Sequence, residues 1–276
     1  MQVGYEWNLS GKEIQMKPYY QNESVTLYHG DCLEVMPDLT MTFDACITDP
    51  PYGTTACKWD TVIPFEPMWE NLKRLIKKSG AICLFGSEPF SSMLRMSNLS
   101  GFRYDWVWEK SKASTFLLCR KMPLKAHEIV SVFGFSSIVY YPQKKEGMPY
   151  SGERRAGRHG SLTDVYQDVK NPCFRNGSAD GTRFPRSVQY FKTAESESIG
   201  DHPTQKPVAL IEYLIKTYTN EGESVLDFAS GSGTTGVACM NLKRKCVLIE
   251  MEERYCEITA NRLQSTEKEL SEKLFY

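Results

Sequence analysis

The stretch from Glu223 to Glu250 reads as one continuous unit and constrains the fold more than any other part of the chain. Glu223-Ser224-Val225-Leu226-Asp227-Phe228 is a strand-length run, Thr234 to Leu242 suits a helix, and Lys245-Cys246-Val247-Leu248-Ile249-Glu250 is a second strand. Two strands joined through one helix lie parallel in a sheet. Between strand and helix, Gly231-Ser232-Gly233-Thr234-Thr235-Gly236 satisfies G-x-G-x-x-G, and the following strand ends on an acid, Glu250. Glycines there permit a tight turn and close backbone approach by a nucleotide-like ligand, while the carboxylate can bind ribose hydroxyls. Nicotinamide, flavin and S-adenosylmethionine users share this arrangement. A P-loop is excluded, because no G-K-[ST] completes it.

The rest of the chain repeats the alternation. Val25-Thr26-Leu27-Tyr28 is a short strand, and Phe43 to Thr48 is a buried strand that stops at Asp49-Pro50-Pro51-Tyr52-Gly53, because neither proline has an N–H for a ladder. Met68, Trp69, Leu72, Leu75 and Ile76 recur at helical spacing, with Lys77 and Lys78 in the expected last turn and Gly80 as its stop. Ala81 to Gly86 follows as a strand. Pro207 opens a helix whose apolar face is Val208, Ile211, Leu214, Ile215 and Tyr218. The middle, from about Ser111 to Gly200, mixes Pro, Gly, Ser, Arg and Tyr, with Ile129 to Phe133 as a candidate strand. The expected fold is α/β, a doubly wound sheet with helices on both faces and a less regular insertion.

Charge separates the insertion from the rest. The whole chain holds 33 basic and 34 acidic residues. Lys110 to Lys192 holds 15 basic and 6 acidic, a net of +9, which leaves 18 and 28 elsewhere, a net of −10. Positive charge concentrated in one third of the length suits a polyanionic partner. No apolar run approaches the roughly 20 residues of a membrane span. The N-terminus lacks a basic region followed by an apolar one, so no secretory signal is expected. Nine scattered Cys without C-x-x-C read as reduced thiols, and His29, His127, His159 and His202 have no metal-like spacing, so no metal is expected.

Asp49-Pro50-Pro51-Tyr52 sits at the carboxyl end of a buried strand, where open α/β sheets bind ligands. Its chemistry suits an exocyclic amine of a nucleobase, a poor nucleophile whose lone pair is delocalised into the ring. The Asp49 carboxylate and the Pro50 carbonyl can accept both N–H groups and bring the lone pair toward an electrophile. Tyr52 offers a face for a base taken out of a duplex.

Thr48-Asp49-Pro50-Pro51-Tyr52-Gly53, followed far downstream by Val225 to Gly236, resembles the DNA amino-methyltransferases. The order, catalytic motif first and cofactor motif last with the variable region between, is similar to their beta group. His202-Pro203-Thr204-Gln205-Lys206-Pro207 and Gly30-Asp31-Cys32-Leu33-Glu34-Val35-Met36 are typical of it too. The resemblance implies an S-adenosylmethionine-dependent enzyme that methylates an exocyclic amine of double-stranded DNA. Asp49, Pro50 and Tyr52 are its implied catalytic residues, and adenine N6 is favoured over cytosine N4 by Asp in the first motif position.

The resemblance also distributes the cofactor residues. Asp227, Gly231 and Gly233 are implied at the methionine end, Glu250 at the ribose, Asp31 at the adenine, and Thr204 and Lys206 at the carboxylate. The family's Asp-Pro-Phe is Asp-Phe here, which displaces Phe228, another implied cofactor contact, by one position. Ser87, Glu88 and Phe90 fall at the same sheet edge. Residues 1–110 then form the catalytic half, 111–200 the basic target-recognition region and 201–276 the cofactor half. Arg154, Arg155, Arg158, Arg175, Arg183 and Arg186 are the expected DNA contacts. A homodimer, a cognate restriction endonuclease and a cytoplasmic setting in a bacterium or phage complete the expectation.

The rival enzyme class is a nicotinamide-dependent oxidoreductase, under which D-P-P-Y has no task. The other rival is a DNA-binding module that merely keeps the fold. Trp106 and Trp108, alternating with Tyr104, read as core strand residues.

Overall fold

The computed structural model describes residues 17–54, 60–148, 180–194 and 205–273. It divides into two compact units, Pro142–Arg186 and the remainder. In the larger unit the described residues form a nine-stranded sheet and six α-helices. The strands are β1 (Tyr20–Gln21), β2 (Val25–His29), β3 (Phe43–Thr48), β4 (Ile76–Gly86), β5 (Phe102–Ser114), β6 (Lys125–Phe133), β7 (Val188–Phe191), β8 (Ser224–Asp227) and β9 (Lys245–Glu250). The helices are α1 (Cys32–Asp38), α2 (Phe65–Leu75), α3 (Phe90–Ser97), α4 (Val208–Tyr218), α5 (Thr234–Asn241) and α6 (Glu253–Lys273).

Sheet order is β1-β2-β9-β8-β3-β4-β6-β5-β7, with β2, β9, β8, β3 and β4 mutually parallel. From β3 the chain winds outward through α2 to β4, and from β8 it winds the opposite way through α5 to β9. The adjacent pair β3 and β8 is therefore the topological switch point, where α/β sheets open a crevice at the strands' carboxyl ends. Alternation sorts the side chains onto two faces. Ala45, Ile47, Ala81, Cys83 and Phe85 pack with helices α4, α5 and α6, while Cys46, Ile82 and Leu84 pack with α1, α2 and α3. The doubly wound expectation holds.

One element ends earlier than its periodicity suggests. Helix α2 stops at Leu75, not at Gly80, and Ile76–Gly80 already runs beside β3. The register shifts between Phe43↔Ile76 and Ala45↔Ala81, a bulge that takes up the extra residues. There Lys77 Nζ donates to Asp44 Oδ1 at 2.6 Å, so the lysine serves the strand and not a helix end. A Cβ on Gly80 would lie 2.7 Å from the Asp44 carbonyl oxygen, so the glycine is required by the bulge. Lys73 and Arg74 occupy the helix's last turn instead.

Within 111–200, β6 and β7 add to the sheet, with β6 antiparallel to β4 and to β5. In the smaller unit, Lys145 bridges Arg183, and the Arg183 guanidinium donates to the carbonyls of Met148, Gly181 and Thr182. Among the described residues no helix is long and apolar enough to cross a membrane.

Candidate active site

The switch point is locked by Asp227. Its Oδ1 accepts from the Thr48 hydroxyl at 3.0 Å and Ala229 N at 3.2 Å, and its Oδ2 accepts from Thr235 Oγ1 at 2.6 Å. Thr48 Oγ1 accepts in turn from Phe228 N at 3.1 Å. One carboxylate thus ties the ends of β3 and β8 to the start of α5. Burial pushes its carboxyl up to about 7, against the pull of the Thr235 and Thr48 hydroxyls. Asp227 and Phe228 both line the cavity that opens here, with a volume of about 900 Å³, but both oxygens of Asp227 already have partners within the fold.

The Gly-rich turn has two glycines with different reasons. Gly231 (φ 54°) lines the cavity, and its N–H donates to Glu250 Oε2 at 2.7 Å. Gly233 (φ 75°) faces α6, where a Cβ would lie 2.4 Å from Thr259 Cγ2. Helix packing and the left-handed backbone each require glycine at this position, and Gly233 is not among the residues lining the cavity. Helix α6 buttresses the turn: Thr259 Oγ1 donates to Gly231 O at 2.9 Å, and Arg262 Nη1 to Ser232 O at 2.8 Å.

Glu250 is buried, and its Oε1 accepts from Glu252 N at 2.9 Å. Burial raises its pKa, while the Glu252 and Gly231 amides lower it. Beside it, Gly30 N donates to Glu250 O at 2.9 Å, which brings Asp31 into the cavity wall. Asp31 also caps α1, accepting from Leu33 N at 2.8 Å.

Two buried polar atoms in this wall, Ser230 Oγ and Gln205 Nε2, have no partner among the described residues. Buried polar groups are ordinarily satisfied, so a polar ligand in this half fits them. Neither stood out in the sequence: Gln205 lay inside H-P-T-Q-K-P and Ser230 was one more residue of a Gly/Ser turn. Thr204 lies outside the described residues, as do Arg154, Arg155, Arg158 and Arg175. Arg183 is engaged as described above, and Arg186 is exposed.

The other half of the cavity is built on D-P-P-Y. Asp60, unnoticed in the sequence, accepts from Tyr52 N at 2.7 Å, Gly53 N at 2.8 Å and Thr54 N at 2.9 Å, fixing the turn after the prolines. Tyr52 donates its hydroxyl to Asp49 Oδ1 at 2.5 Å, and its ring stacks on Phe90 at 5.1 Å and 26°. Pro50 lines the cavity beside them.

Lys206 donates to Asp49 Oδ2 and lies 3.4 Å from Glu128 Oε2, which makes it a partner of the D-P-P-Y aspartate. Lys110 Nζ reaches Glu128 Oε1 at 3.1 Å. The cluster pairs two carboxylates with two ammonium groups. Burial opposes the charge of Lys206, but Asp49 and Glu128 outweigh it and hold the proton above the usual lysine range. Burial also pushes the Asp49 carboxyl up, against the pull of Lys206. Glu128 resists burial because Lys206 and Lys110 hold it below the usual range.

A family model described as DNA methylase matches residues 43–261. The chain is 45% identical over 252 residues to the type II methyltransferase M.HpaI of Haemophilus parainfluenzae, covering 80% of this chain and 68% of that one. It is 27% identical over 278 residues to the DNA adenine methyltransferase YhdJ of Escherichia coli K12, covering 92% and 88%. Its fold resembles the crystal structure of the M1.HpyAVI–SAM complex, with a TM-score of 0.58 and 25% identity over 87% of this chain and all of that one.

Proposed function

Because the chain belongs to the DNA methylase family, and is thereby an S-adenosylmethionine-dependent DNA methyltransferase, we propose that it methylates N6 of adenine within a specific sequence of double-stranded DNA. The observation that carries the reading is the Asp49 carboxylate, fixed at the switch point by Tyr52 and Lys206 in a cavity large enough for a base and a cofactor. The relative named as an adenine methyltransferase supports adenine over cytosine N4.

The Gly231–Glu250 half, with Asp31, Ser230 and Gln205, is the place assigned to S-adenosylmethionine, which when bound supplies a methyl group on a sulfonium. The chain's own task is orientation. A base turned out of the duplex lies against Tyr52, and its amine donates to Asp49 and the Pro50 carbonyl. Tyr52 and Lys206 each occupy one acceptor position on Asp49, and a carboxylate has about four. Lys206 keeps that carboxylate charged as an acceptor despite its burial.

The same proposal places target recognition in 111–200, between a catalytic half, 1–110, and a cofactor half, 201–276. A homodimer, a cognate restriction endonuclease and a cytoplasmic setting in a bacterium or phage belong to it as well. Methylation-sensitive sequencing of DNA from cells expressing the chain tests it. N6-methyladenine at one recurring sequence is the expected result, and N4-methylcytosine overturns the adenine assignment.

A further inference from the structure

The β5–β6 connection, Thr115 to Leu124, carries five exposed large apolar side chains: Phe116, Leu117, Leu118, Met122 and Leu124. Leu117 is fully exposed, and Phe116 retains 64% of its surface. Between them and Met122 stand two exposed cations, Arg120 and Lys121. Water disfavours such a tip, so its exposure calls for an occupant.

The loop is built, not slack. Leu118 N donates to Thr115 O at 2.9 Å, Lys121 N to Leu118 O at 2.8 Å, and Met122 N to Leu118 O at 3.0 Å. At its neck Thr115 holds a left-handed backbone (φ 69°), uncommon for a β-branched residue, and its Oγ1 accepts from Lys125 N at 3.2 Å. Its feet stand in the wall of the active-site cavity. Lys112, Ala113 and Ser114 line that cavity, and Ser114 pairs with Lys125 across the hairpin. Lys110, one turn of the pleat below, contacts Glu128 of the charged cluster.

A DNA methyltransferase must take its target base out of the stack, and the gap left behind costs unstacking unless something fills it. Apolar side chains inserted between base steps do this elsewhere in DNA recognition. We propose that Thr115–Leu124 is such a wedge, with Phe116 and Leu117 entering the space the target base vacates and Arg120 and Lys121 meeting the flanking phosphates. The cations favour DNA over a second copy of the chain as the occupant, because they complement a polyanion. The inference rests on the DNA methyltransferase activity and not on which base is methylated or on the role of Asp49.

The test uses the full chain carrying Phe116→Ser and Leu117→Ser, both at exposed positions, with S-adenosylmethionine affinity measured by calorimetry as the check on folding. Two duplexes carry the sequence found by methylation mapping, one fully paired and one abasic opposite the target. Single-turnover methylation of the paired duplex is expected to fall about ten-fold or more, while the abasic duplex, whose target is already unpaired, restores the rate to within about three-fold. A second variant, Leu117→Phe, keeps the wedge apolar and is expected to retain the rate. Equal loss on both duplexes, or no loss on either, overturns the proposal. A drop in sedimenting mass in the serine variant overturns it too, by assigning the tip to contact between copies.

Discussion

Lys206 donates to the carboxylate of Asp49 from 157 positions away in the chain, and it does so while also lying 3.4 Å from Glu128. The lysine of the H-P-T-Q-K-P segment therefore meets D-P-P-Y directly. A buried carboxylate without a partner moves toward its neutral form, so the lysine decides whether Asp49 can accept hydrogen bonds from an amine.

Lys206→Met is expected to act through Asp49. Burial and Glu128 already raise the Asp49 pKa, Tyr52 and Lys206 lower it, and removing the lysine raises it further. Activity that needs the ionised carboxylate is then lost at a higher pH as pH falls, so the acid limb of the kcat profile moves upward. If the lysine instead served only the cofactor carboxylate, KM for S-adenosylmethionine would rise with the acid limb unmoved.

Gly233→Ala is expected to destabilise the protein by about 1–3 kcal/mol, from the left-handed backbone and overpacking against Thr259. S-adenosylmethionine affinity of the folded variant should change little, because Gly233 does not line the cavity. Denaturant melts and calorimetry separate the two. A large loss of affinity with unchanged stability would return Gly233 to the ligand.

How much of this was legible in the sequence depends on how local the cause is. Phe43–Thr48 and Lys245–Glu250 are apolar runs bounded by breakers, and they are strands as read. Gly80 looked like a helix stop because Lys77 and Lys78 suit a last turn. The cross-strand contact of Lys77 with Asp44 and the bulge before Ala81 show otherwise. The described site residues quoted from motifs, Gly233 apart, line one cavity at the switch point, but their partners were invisible. Asp60, Glu128 and Thr259 belong to ordinary stretches and acquire their tasks through distant neighbours. Lys206 is implied by the motif resemblance at the cofactor carboxylate, and its contact with Asp49 appears only in the structure.

Asp60→Ala removes the acceptor of three backbone N–H groups that hold the Tyr52 turn. Leaving them unsatisfied costs about 1–3 kcal/mol each where they stay buried, and less where water reaches them. The expected outcome is a fall of about ten-fold or more in kcat/KM for DNA with S-adenosylmethionine affinity retained, since the cofactor half does not depend on this turn. Equal loss of both would indicate general unfolding.

Arg154, Arg155 and Arg158 changed together to Ala should weaken DNA binding and flatten the dependence of log K on log salt by about one unit for each lost phosphate contact. Fluorescence titration across a salt series reads this. An unchanged slope would remove these arginines from the interface.

The central claim is that Asp49 receives the amine being methylated. It is tested by single-turnover transfer of a labelled methyl group to DNA, followed by digestion to nucleosides, for the unmodified chain and for Asp49→Ala. The account predicts label in N6-methyladenine, lost by about 100-fold or more in the variant while S-adenosylmethionine still binds. Near-normal labelling by Asp49→Ala would contradict it.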